Sequence, residues 1–432
     1  MTTESATIPC PSSAARHPGL VVLVFLVFFV ISLLTNIIGP LVPDIIRSFR
    51  LSLTLVALLP FSFFIAYGIM SIPSGMLLER FREKPVMTAA FGAALTGSLL
   101  FSIFPRYPTA VLSLFLIGLG MAALQVAINP LLRVAGGEEH FAANSVLAQL
   151  VFGGASFLSP HVYSYFVTNL ERPVFSRPLP VRLVSGAVPG DLPWVSVYWA
   201  FSALLFLMIG VLLLVRFPRV VKRPEEKAGA WAVYKTLFKR KITLLYFLGI
   251  FTYVGLEQGT ANWISQFLLT YHGYDPHTAG ARTVSWFWGF MTIGCLLGFA
   301  LLKILDSRKV LVGFSAAAAV FLSLALFGPG PLALIMFPLV GFAASVMWSI
   351  IFSLALNSSE SHHGAFSGIL CTGIIGGAFF PLAVGRLGDV LGLRLGMVLL
   401  YLALGYVLSI GFWARPLIAN ETISMGKRRK SR

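Results

Sequence analysis

A single carboxylate, Glu257, stands inside an apolar run that extends from residue 243 to residue 267. Of sixteen acidic residues, the other fifteen are read as lying in loops or at the ends of such runs. Holding a charged carboxylate at bilayer depth costs about 2.5 to 3.5 kcal/mol even on the lenient insertion scale, so an unpaired one is a candidate proton or cation site. The alternative is a neutral acid that only hydrogen-bonds across a helix bundle. No basic residue is read in mid-run to neutralise it. Gln258, Asn262 and Gln266 follow at intervals of four, a spacing that places them on one helix face. Lipid penalises such a stripe and a wetted cavity does not, so the stripe is expected to face an opening.

Other residues could serve the same chemistry. Asn36, Gln125, Asn129 and Gln149 are amides within apolar runs, and Gln125 and Asn129 lie one turn apart on a common face. Amides bind hydroxyls, while the aromatic faces of Trp263, Trp286, Trp288 and Trp348 could stack on the C–H faces of a sugar ring. Each amide has a plainer role open to it, a bond between helices, and each tryptophan an interfacial or packing role. His161 is read as structural.

Enzymatic chemistry has little support. There is no phosphate-cradling glycine loop with its lysine, no metal-spaced His/Cys cluster, and no pair of carboxylates on one run. His362 and His363 beside Glu360 are read as a solvated loop. Cys10, Cys295 and Cys371 are odd in number, so no disulfide framework is expected, and no cofactor is called for.

The elements that must position these groups follow from composition. The chain has 432 residues, 57% hydrophobic and 11% charged, whereas a soluble domain is roughly a quarter charged. Crossing about 30 Å of hydrocarbon takes roughly 20 apolar residues, and unsatisfied backbone groups in lipid force helices or a closed barrel. Period-2 alternation is absent, so an all-α membrane protein with twelve spans is expected: 19–42, 54–79, 86–104, 109–134, 141–168, 194–216, 243–267, 278–304, 309–328, 331–356, 364–388 and 394–414. The first run is too long for a signal-peptide core and is read as a retained helix.

The net charge of +16 is distributed by topology. With the N-terminus inside, 23 of the 32 basic residues fall in cytoplasmic segments and nine outside, which predicts that both termini are cytoplasmic. The basic tail 426–432 and the segment 218–241 could touch anionic lipid. No nucleic-acid partner is expected.

The polar stretch 217–241 separates 1–216 from 242–432, and a shift of 223 positions lays the first six spans over the last six. Gly153-Gly154-Ala155 then meets Gly376-Gly377-Ala378, with Pro160 and Pro381 following. Two parallel six-helix halves with a solute site between them form the architecture of major facilitator transporters. The loop from Gly75 to Lys84, with Glu79 and Arg80 available to pair and lock one face, resembles that superfamily's cytoplasmic motif.

The resemblance extends to the bacterial fucose:proton symporters and their glucose/galactose relatives over nearly the whole chain. It is carried by Ala127-Ile128-Asn129-Pro130, Leu147-Ala148-Gln149, Tyr253-Val254-Gly255 with Glu257, Ile351-Phe352-Ser353-Leu354, and Ile374 to Gly377 with Pro381. Departures are Gly39 and Gln125 where the symporters carry proton-coupling acids, and Val146 and Phe152 where they carry asparagines. The resemblance implies a monomeric sugar transporter of the bacterial inner membrane, coupled to protons or Na⁺; an uncoupled sugar facilitator and a major facilitator transporter for a different small solute are the alternatives. Glu257 would couple; Asn36, Gln125, Asn129, Gln149, Gln258, Asn262, Trp263 and Trp348 would hold the sugar.

Overall fold

The computed structural model describes residues 18–137, 141–217, 231–358 and 363–416. The basic tail, Cys10, Glu360, His362 and most of the polar linker lie outside the described residues, as do the side chains of Asn129 and His363. Twelve helices are long and apolar enough to cross a membrane. Six precede the linker: Pro18–Phe49, Leu53–Phe81, Glu83–Ile103, Tyr107–Gly136, Asn144–Leu170 and Pro193–Leu214. Six follow it: Lys241–Ala261, Pro276–Leu302, Ser307–Phe327, Gly330–Leu356, Phe366–Leu391 and Leu393–Trp413. These are spans one to twelve below. The described residues contain no strand.

Among the described residues five spans are interrupted, span eleven by a tighter turn at Gly373–Ile375, span twelve at Leu399, and three by breaks that carry polar groups. Span one is two helices, Pro18–Thr35 and Ile38–Phe49, meeting at Asn36. Span seven ends at Ala261 and resumes as Ile264–His272, with Asn262 and Trp263 at the break. Span ten breaks at Ser345 and Val346, between Gly330–Ala344 and Met347–Leu356. Such breaks free backbone groups that lipid cannot satisfy, so they occur where protein or a wetted cavity surrounds them.

The break in span one corrects the expected end at residue 42, because the helix runs on to Phe49. Pro40 lies in the first turn of the restarted helix, where an N–H has no intrahelical partner and proline is tolerated. Asp44, read as lying beyond the span, is therefore inside it and buried. The break in span seven corrects the continuous stripe, since Gln266 belongs to a second helix beyond the interruption that follows Gln258 and Asn262.

The two halves meet along two seams, span two against span eleven and span five against span eight. One glycine of each duplicated pair sits on a seam. A Cβ on Gly153 would collide with Thr292 of span eight, and one on Gly377 would press on Phe64 of span two at 3.0 Å. Side chains at these two positions would pry the halves apart; their partners under the shift differ, since Gly376 packs on Phe251 of its own half and Gly154 meets nothing within 4 Å.

The halves are closed at the end remote from the chain termini. Asp44 of span one reaches His277 of span eight, Asp389 of span eleven reaches the start of span two, and Gly39 packs on the backbone of Ala261. Toward the termini the second seam parts. Gln149 and Val146 share the Gly153 face of span five, and Leu296 and Phe299 share the Thr292 face of span eight; all four are exposed.

A Cβ on Gly39 would stand 2.5 Å from the Ala261 carbonyl oxygen, whereas one on Gly154 meets nothing within 4 Å. Gly39→Leu should therefore lower thermal stability by about 1 to 3 kcal/mol through overpacking, and Gly154→Leu should leave it within about 0.5 kcal/mol. Thermal unfolding of the purified variants checks the contrast, and equal effects would contradict the packing described.

Candidate functional site

The acid singled out by the sequence is half-buried and its contacts are neutral. The Tyr253 hydroxyl, one turn earlier, donates to Oε2 of Glu257 at 2.5 Å, and the Gln258 amide donates to Oε1 at 3.0 Å. Tyr253 lies with its ring 6.1 Å from that of Trp348 in span ten, and Trp348 stacks on Phe352 at 5.9 Å. Trp348 is partly open rather than sealed in the core. Spans seven and ten thus bring one carboxylate, one phenol, one amide and a stacked aromatic pair together. The arrangement can bind a cation or proton at the carboxylate and an apolar ring face at the indole.

The helix breaks carry further polar groups. Asn36 at the span-one break donates from Nδ2 to Ser156 Oγ of span five at 2.9 Å, and Ser32 lies 2.6 Å from the same oxygen. Asn262 at the span-seven break is buried with Nδ2 unpartnered. Asn36 and Asn262 hold comparable places in the two halves, since the shift of 223 carries residue 36 to within one turn of residue 262. Gln125 of span four also keeps Oε1 buried and unpartnered. Buried polar atoms are almost always bonded, so unpartnered amides at membrane depth mark places where water or a ligand supplies the missing bond.

A path links the two groups. Ser156, which holds Asn36, is one turn from Gly153, and Gly153 packs on Thr292. One turn beyond Thr292 is Cys295, whose thiol donates to the Ser345 carbonyl at the span-ten break at 3.2 Å and which lies within electrostatic reach of Glu257. The seam between spans five and eight therefore separates the Asn36 cluster from the Glu257 cluster, and Gln149 is exposed where that seam parts.

Besides Asn36, two more of the proposed binding side chains are occupied by the protein itself. Trp263 is buried and its indole N–H donates to the Pro381 carbonyl at 3.3 Å. Gln258 is buried and gives its amide to Glu257. Of the pair expected to lock the other face, Glu79 and Arg80 are both exposed, with Arg80 lying over the Phe81 ring at 5.1 Å and Glu79 within reach of Tyr234 in the short helix Trp231–Phe238. His161 packs against Phe157, while Trp288 is buried and Trp286 exposed against Phe157.

The sequence reading missed a cluster at the closed end. Tyr163 donates to Asp44 Oδ2 at 2.6 Å, and Nε2 of His277 lies 3.0 and 3.1 Å from the two Asp44 oxygens. The missed signal was the return of the apolar pattern at Ile45-Ile46 after Asp44, which a helix interrupted by proline would have explained.

The sequence profile of the Major Facilitator Superfamily matches residues 24–374. A glucose/galactose transporter of Brucella abortus is 29% identical over 401 residues, covering 89% of this chain and 92% of that protein. The L-fucose-proton symporter of Escherichia coli is 25% identical over 385 residues, covering 84% and 86%. A crystal structure of the E. coli fucose:proton symporter superposes with a TM-score of 0.64 at 20% identity, over 91% of this chain and 98% of that one.

Because its N–H is bonded inside the fold, Trp263→Phe should cost about 1 kcal/mol of stability. Trp348→Phe keeps a ring in the aromatic stack and should stay within about 0.5 kcal/mol. Chemical unfolding of both variants in mixed micelles reads the difference; a larger loss at residue 348 would contradict the placement.

Proposed function

The chain belongs to the Major Facilitator Superfamily, and from that premise we propose that it carries a monosaccharide across the bacterial inner membrane by alternating access, in symport with a proton or Na⁺. The observation that carries the reading is the half-buried Glu257, bonded to Gln258 and to Tyr253, whose ring lies 6.1 Å from that of the partly open Trp348. A carboxylate with neutral partners can take up and release a small cation during a transport cycle, which a fixed salt bridge would prevent. The names of the relatives support a sugar as the solute.

In this reading both termini are cytoplasmic, the units are 1–216, a linker 217–241, and 242–432, and the protein acts as a monomer. The closed end is then the outer face and the parted seam opens inward. Asn36, Gln125, Asn129 and Gln149 contribute from the first half, and Gln258, Asn262, Trp263 and Trp348 from the second. Since Asn36, Gln258 and Trp263 are engaged within the protein, their part in binding requires a rearrangement during the cycle. Glu79 and Arg80 act at the inner gate when it closes. Lacking a nucleotide motif, uphill transport draws on an ion gradient.

An uncoupled facilitator is the second reading, favoured by Gly39 and Gln125. The close contact of Gly39 with Ala261 leaves no room for an acid there in the closed form. Proteoliposomes separate the two. Labelled glucose, galactose and fucose should enter saturably and accumulate when a proton or Na⁺ gradient is imposed. Glu257→Gln should abolish accumulation by at least about tenfold, equivalent to 1.4 kcal/mol of lost coupling, while sugar counterflow persists. Unchanged accumulation rejects Glu257 as the coupling residue, and absence of saturable flux with every sugar rejects the substrate class.

A further inference from the structure

The cluster at the closed end has a composition that simple packing does not require. Asp44 is buried in span one, yet its carboxylate is held by groups from two other spans: Tyr163 from span five of the same half and His277 from span eight of the opposite half. The His277 side chain is 18% exposed and that of Asp44 8%, so the imidazole can exchange protons with the medium while the carboxylate stays covered. We propose that Asp44, His277 and Tyr163 form a proton-binding latch that holds the outer ends of the two halves together when His277 is charged.

The geometry supplies the mechanism. Both oxygens of Asp44 face Nε2 of His277, at 3.0 and 3.1 Å, and Nδ1 of His277 lies 4.0 Å from Asp275. The ring is thus flanked by a carboxylate on each nitrogen, one from across the seam and one from its own segment. The charged and titratable groups acting around it are Asp44 from span one, Tyr163 and Glu171 from span five and its end, and Asp275 beside it. Arg47 acts on the same cluster through Tyr163. The helix Ile264–His272 packed against this turn carries His272, and span eight itself carries Arg282 five positions beyond His277. With the imidazole protonated, Asp44 and His277 form an ion pair in which donor and acceptor are both charged. Loss of that proton leaves a neutral N–H donor on the carboxylate and removes the Coulomb attraction across the seam.

A second carboxylate makes the same end a useful control. Asp389 of span eleven accepts from the backbone N–H groups of Leu53 and Thr54 at 2.8 and 2.9 Å and from the Thr54 hydroxyl at 2.5 Å. It caps the N-terminus of span two across the other seam, where a negative charge is stabilised by the helix dipole. Its partners do not titrate near neutrality. Acidification strengthens the His277 clasp and leaves the Asp389 clasp unchanged until carboxylates protonate. The latch proton enters and leaves on the outer side, so it gates the carrier without being carried.

The inference rests on the transporter reading and its orientation, and its test needs no sugar. Cys10, Cys295 and Cys371 are replaced by serine, and spin labels are placed through Phe104→Cys and Phe327→Cys, exposed positions at the ends of spans three and nine. Distances are measured by pulsed electron resonance on the full chain in nanodiscs between about pH 5.5 and pH 8.5, a window that brackets histidine titration. The closed population should fall at least roughly threefold as pH rises, consistent with losing a partly exposed ion pair. His277→Gln and Asp44→Asn should each flatten that response, and Tyr163→Phe, which keeps the ring, should weaken it. Asp389→Asn should open the outer end at every pH while keeping the slope. A distribution independent of pH in the parent, or an unaltered slope in His277→Gln, overturns the latch. Sugar counterflow at fixed pH on the parent reports separately on the transport reading, so either can fail alone.

Discussion

Hydrocarbon offers no hydrogen bonds, and that constraint organises the molecule. Every backbone group in the twelve spans must be satisfied within a helix, by a neighbour, or by water admitted between helices. The breaks at Asn36, Asn262 and Ser345 are therefore the informative departures. Each places polar backbone and side chains away from the apolar rim, on surfaces that face other spans. A protein that needed only to be stable in lipid would have less reason to interrupt three spans near their middles.

From the breaks the rest follows by packing. Glycines on spans five and eleven let the halves approach along two seams, so that small displacements at the seams move polar groups on one side relative to those on the other. The two polar clusters lie on opposite sides of one of these seams, with Asn36 and Ser156 on one side and Glu257 with Tyr253 on the other. Rocking of rigid bundles alters the distance between such clusters without unfolding either, which is the physical content of alternating access. The carboxylates at the far end, Asp44 and Asp389, each belong to one half and bond to the other, so closure there consists of a few directional contacts that can be made and released.

Much of the architecture was legible in the sequence because hydrophobic length is a strong signal. The twelve spans depend only on where charges are missing, whereas the isolation of Glu257 did not hold, because Asp44 is also buried inside a span. The ends were less legible: Gly39, Pro40 and Pro43 look like a stop, yet a break at Asn36 lets the helix restart and carry Asp44 inside. The periodicity of Gln258, Asn262 and Gln266 assumed a continuous helix, and a break leaves no mark that spacing alone reveals. Trp263 was chosen for its aromatic face, but the carbonyl it bonds, at Pro381, lies 118 positions away and could not be inferred locally. Gln149 fared differently, because its place on the Gly153 face puts it where the seam parts.

The central claim is that the amides at the helix breaks line a wettable path between the halves. The most direct measurement is reactivity toward a small, charged, membrane-impermeant thiol reagent. It would be applied to a cysteine-free background carrying Asn36→Cys, Gln149→Cys or Asn262→Cys, with Phe206→Cys as an exposed apolar reference on span six. The account predicts that cysteines at 36, 149 and 262 are modified at least roughly tenfold faster than one at 206, and that saturating hexose protects them. Modification no faster than at the reference position, with or without sugar, would contradict it.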